Sequence, residues 1–119
     1  MRLPWLLVSL VLSVLLASLH WWAVSDFLYW RYTWFDMLMH YLGGVTSAVC
    51  VSAFLLHRRD RTFIFLLTLI FIGWEVFEFV FGVAHKANYP LDTVIDLILD
   101  TLGALTVYAI ARKTLWRSK

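Results

Sequence analysis

Three sets of polar residues fall where charge is costly. Asp36 and His40 are spaced i, i+4. Glu75 and Glu78 are spaced i, i+3. Asp92, Asp96 and Asp100 run i, i+4, i+8. On helices, each set lies on one face, and each is embedded in an apolar stretch. These sets hold six of the eight acids in the chain; the others are Asp26 and Asp60. Oxygen ligands with a single imidazole suit a hard or borderline divalent cation such as Mg²⁺, Mn²⁺, Fe²⁺ or Zn²⁺. Such an ion can polarise a substrate and activate water. The expected ligand set is Glu75, Glu78, Asp96, Asp100 and His40, with Glu75, Asp100 and His40 nearest the chemistry.

The elements that must carry these residues follow from composition. The chain has 119 residues, of which 62% are hydrophobic and 15% are charged. A soluble domain carries roughly 45–50% apolar and about 25% charged residues. The excess has nowhere to hide in so small a fold, which excludes a soluble enzyme, a disordered chain and a disulfide scaffold. The one cysteine, Cys50, reads as a packing residue. A spanning helix needs about 20 apolar residues, and four stretches qualify: 3–24, 35–56, 62–83 and 92–111. Short connections join them, so the expected fold is an all-α membrane protein. It is an up-down four-helix bundle forming a single transmembrane domain over residues 1–119. The first stretch resembles a signal peptide, but Ala17-Ser18-Leu19 is a poor cleavage site and the apolar run continues to Val24. It reads as an uncleaved anchor.

Lys and Arg set the orientation. Placing both termini inside puts eight of the ten basic residues in the cytoplasm, leaving Arg31 and Lys86 outside. The expected location is a bacterial-type inner membrane, with both termini cytoplasmic. Trp5 and Trp116 then fall at the inner interface, and Trp21, Trp22, Trp30 and Trp34 at the outer one. Trp74 lies inside the third span beside Glu75. Membrane lipids are the expected surroundings, with a lipid-linked or cationic ligand possible on the outer face. A nucleic-acid role would need a basic face on a soluble module, and no stretch offers one.

At about 1.5 Å rise per residue, the acids fall at matching depths. His40, Glu78 and Asp96 form one layer in the outer half, with Glu75 and Asp100 deeper. Small residues continue each face: Gly43, Gly44 and Ser47 after His40, Gly82 after Glu78, and Gly103 after Asp100. Small residues let membrane helices approach closely, so the acids should face the bundle interior. An ionised acid at mid-span costs at least ~2.5–3.5 kcal/mol. Protons or a cation must therefore offset the group. Structural readings stand beside the functional one. Thr33-x-x-Asp36 and Thr93-x-x-Asp96 have the form of capping boxes, and Asp92 after Pro90 is a natural N-cap. His40 could be a hydrogen-bonded core histidine. Asp36, Asp92, Trp74 and His85 are possible site members; His20 and His57 read as interfacial.

The ordered set also resembles a known family. Asp36-x-x-x-His40 followed by Gly43-Gly44 is similar to the first signature of VanZ-like membrane proteins. Glu75-x-x-Glu78, then Asp92-x-x-x-Asp96-x-x-x-Asp100-x-x-Gly103-Ala104, resembles their second, and is closer still to the YjdF-type small bacterial inner-membrane proteins. The resemblance covers residues 35–108 and implies a link to glycopeptide (teicoplanin) resistance. The VanZ pattern usually has Gln at the place of Glu78 and Asn at that of Asp100. This chain is more acidic there, which favours cation binding. Three functions compete: a metal-dependent site acting on a lipid or lipid-linked substrate, a non-catalytic envelope accessory protein of VanZ type, and proton or cation translocation.

Overall fold

The computed structural model describes residues 2–81 and 89–117. Five helices and no strand occur among them: α1 Leu3–Ser25, α2 Leu28–Arg31, α3 Thr33–Phe54, α4 Asp60–Val80 and α5 Tyr89–Thr114. Four of these are long and apolar enough to cross a membrane. The molecule is 50 Å long and 26 by 21 Å across, enough to span a bilayer of about 40–45 Å including headgroups.

The chain direction can be read from one end. The backbone N–H of Arg2 donates to Ala53 O at 2.8 Å. Its guanidinium donates to Leu115 O and Leu56 O, each at 2.8 Å. The start of α1 thus meets the last turns of α3 and α5, so α3 and α5 run parallel to each other and antiparallel to α1. At this end Arg58 pairs with Asp60 at 2.7 Å, and the Tyr108 hydroxyl donates to Asp60 at 2.9 Å, tying α4 to α5.

Residue size decides which helix sits in the middle. α3 carries Gly43, Gly44, Thr46, Ala48, Ser52 and Ala53, most of them buried. It packs against α1, α4 and α5, and its most extensive contact is with the parallel α5. α1 is apolar all round and buries only Ser9 and Ala23. Such a helix belongs in lipid, and it lies at the edge of the bundle. Toward the Arg2 end, Ala48, Val49, Val51, Phe63, Leu67, Phe71, Ala104 and Val107 form an apolar core. Trp5 and Trp116 pack against it, and the Trp116 indole donates to Leu55 O at 3.2 Å. Both are therefore packing residues. Trp21, Trp22, Trp30 and Trp34 at the other end are exposed.

Helix boundaries differ from the apolar windows in the sequence. α5 starts at Tyr89 and continues through Arg112 and Lys113, because backbone hydrogen bonding does not stop where apolar residues do. The 25–34 connection holds the extra helix α2, which follows Phe27 at φ 57°. That left-handed turn folds Leu28 back onto Ala23, Phe35 and Met39.

Candidate metal centre

The three sets converge near the end of the bundle opposite Arg2. His40 is buried on α3 between two carboxylates of α5. Its Nδ1 lies 3.2 Å from Asp100 Oδ1. Its Nε2 lies 3.3 Å from Asp96 Oδ2 and 3.7 Å from Asp36 Oδ1. Asp96 and Asp100 are one turn apart on α5, so they bracket the ring from either side. An ionised carboxylate only accepts hydrogen bonds. Asp100 therefore favours the tautomer with the proton on Nδ1 and leaves the Nε2 lone pair facing Asp96 and Asp36.

On that side the ligand atoms gather. His40, Glu75, Glu78 and Asp96 each offer one atom, all within 4.8 Å of one another. Asp36, Asp92 and Asp96 form a second such group, so Asp96 belongs to both. Asp96 is 1% exposed. Its Oδ1 has no hydrogen-bond partner among the described residues. An orphaned carboxylate oxygen at this burial is strongly destabilising unless something positive meets it. The donor set, four carboxylates and an imidazole from three helices around the first group and its neighbour Asp36, fits a hard or borderline cation.

Several residues stand elsewhere than their spacing suggests. Asp36 is not part of a capping box. Extended Tyr32 takes the N-cap position and no side chain caps α3, so Asp36 sits past the free amides and turns toward His40. Asp92 is not an N-cap either, because α5 begins three residues earlier, at Tyr89. Asp96 is then two turns into the helix, which also removes the second capping box. Spacing puts Glu75 a layer deeper than Glu78, yet both offer an atom to the same group. Asp100 falls outside both ligand groups among the described residues and faces the other ring nitrogen.

Trp74 touches the site through Glu78: its indole donates to Glu78 Oε1 at 3.0 Å. Phe77 stacks on the indole at 5.3 Å. His85 and Gly82 lie outside the described residues. His20 is exposed and bonded to the Tyr29 hydroxyl at 2.8 Å. The sequence does not single out Tyr29, since a tyrosine in an aromatic loop reads as an interfacial anchor. Burial, then the charges of Asp36 and Glu78, hold its phenol above the ordinary range.

Fold and site together define a multi-pass α-helical membrane protein with a carboxylate–imidazole cluster buried between its helices. The chain belongs to the DUF2238 family, described as predicted membrane proteins, whose profile matches residues 1–117. Neither a curated protein nor a solved structure matches it.

Proposed function

We propose that this protein binds a divalent cation within the bundle through His40, Glu75, Glu78 and Asp96. It uses the ion for hydrolysis or group transfer on a lipid or lipid-linked phosphate. The observation that carries the reading is Asp96, a carboxylate 1% exposed whose Oδ1 lacks a hydrogen-bond partner among the described residues. It lies within 4.8 Å of ligand atoms from two other helices. Glu78 and Asp36 are only partly buried, which leaves the cluster within reach of a headgroup at this end. A divalent ion held there would supply an activated water as nucleophile. Asp100 holds the His40 ring, and Trp74 holds Glu78.

The location we propose is a bacterial inner membrane with both termini in the cytoplasm, following the distribution of Lys and Arg. The site then opens to the outer leaflet. Translocation is disfavoured by the apolar core toward the Arg2 end, because a moving ion needs polar partners along its path. The second reading is a non-catalytic envelope protein of VanZ type. It is favoured by the way the resembling segments meet, Gly44 against Asp100 and His40 between Asp96 and Asp100.

The test is elemental analysis of the full chain purified in detergent. Stoichiometric divalent metal that falls in Asp96→Asn and Glu75→Gln supports the reading. A metal-free protein that takes up none on dialysis overturns it.

A further inference from the structure

We infer that the site holds two divalent cations and that Asp96 bridges them. This rests on the proposed cation site and extends it. The first ion occupies the group of His40, Glu75, Glu78 and Asp96. The second occupies the group of Asp36, Asp92 and Asp96. The two groups share one residue, and that residue has two distinct oxygens. Oδ2 lies 3.3 Å from His40 Nε2. Oδ1 is buried with no hydrogen-bond partner among the described residues. A carboxylate with one oxygen directed to each ion holds a pair about 3.5–4 Å apart, the spacing of two-metal hydrolytic centres. The groups also abut elsewhere, since Asp36 Oδ1 is 3.7 Å from His40 Nε2.

Two carboxylates beyond Asp96 complete the second group, and they come from different helices, α3 and α5. A pair of ions can accept two oxygens of one oxyanion, as two-metal centres do with a phosphate group.

The experiment loads the purified full chain with Mn²⁺, removes free ion, and reads bound manganese and its electron paramagnetic resonance spectrum. The expected result is about two ions per chain with an exchange-coupled signal. Asp36→Asn with Asp92→Asn should halve the manganese and give the six-line signal of an isolated ion. Each single variant, read the same way, serves if the double variant does not fold. Saturation at a single isolated ion in the unaltered chain overturns the pair and leaves the cation site standing. Two ions that persist in the variants overturn the assignment to Asp36 and Asp92. No bound manganese overturns both.

Discussion

Gly44 of α3 lies directly against the backbone of Asp100 on α5. A Cβ placed on Gly44 would fall 2.8 Å from the Asp100 carbonyl carbon and 2.9 Å from its Cα. Gly103 repeats the contact in the other direction, its Cβ position falling 2.8 Å from Val45 N. Two parallel helices thus touch backbone to backbone, as small residues allow in membranes. His40 is one turn from Gly44, so this contact brings the imidazole within hydrogen-bonding distance of Asp100.

Substitution at Gly44 should therefore be costly while its neighbour tolerates change. Gly44→Ala sets a methyl group against backbone that cannot rotate away, and overpacking of this kind costs about 1–3 kcal/mol. Gly43→Ala meets no atom within 4 Å among the described residues and should be near neutral. Thermal unfolding in detergent, followed by helical circular dichroism, is expected to show a lower Tm for the first variant only.

Asp100 and Asp96 should differ in what their loss does to the metal. Asp100→Asn keeps the volume but weakens the hold on Nδ1 of His40, and loss of such a partner typically lowers metal affinity 10–100-fold. Asp96→Asn removes a ligand and should reduce affinity further. Competition titration with a metal-sensitive dye ranks the two; equal effects would contradict the separate roles.

Arg2 closes the far end through two guanidinium hydrogen bonds to carbonyls just beyond the ends of α3 and α5, Leu56 O and Leu115 O. Arg2→Ala keeps the backbone bond to Ala53 and loses both others. A loss of roughly 1–3 kcal/mol is expected, since part of this contact is exposed. Arg2→Lys should recover only part of it, as an ammonium lacks the planar fork. Unfolding midpoints of the three proteins provide the measurement.

Tyr29 should make stability fall at high pH. Its folded phenol titrates above the ordinary value because of burial and then the acids Asp36 and Glu78. Below about pH 10 it is neutral in folded and unfolded chains alike. Above that, the unfolded chain gives up its proton while the folded chain retains it, so stability declines as pH rises. Tyr29→Phe should flatten this part of the profile. Parallel Tm measurements from pH 8 upward would show the difference.

Topology is open to direct measurement. Reporters fused at the C-terminus should be active in the cytoplasm, and a cysteine introduced at Arg31 should be labelled from outside. Adding Lys or Arg to the 25–34 connection should weaken this preference.

The sequence alone determined much of this protein. The apolar runs require four spanning helices, because a bilayer admits few other structures. The i, i+4 spacing of Asp36 with His40, and of the α5 acids, puts each set on one face whatever the neighbours are. The sequence could not say which helices would touch. Short connections suggested sequential antiparallel pairs, yet the most extensive contact joins parallel α3 and α5. Contact here depends on two glycines that remove the side-chain barrier, and their partnering is a property of surfaces far apart in the chain. Tertiary structure also separated acids of one type into different roles. Asp96 faces Nε2 and Asp100 faces Nδ1, because the ring stands between adjacent turns of α5. Asp36 and Asp92 resemble caps as letters in a sequence. They join the cluster because α3 starts beyond Tyr32 and α5 starts at Tyr89.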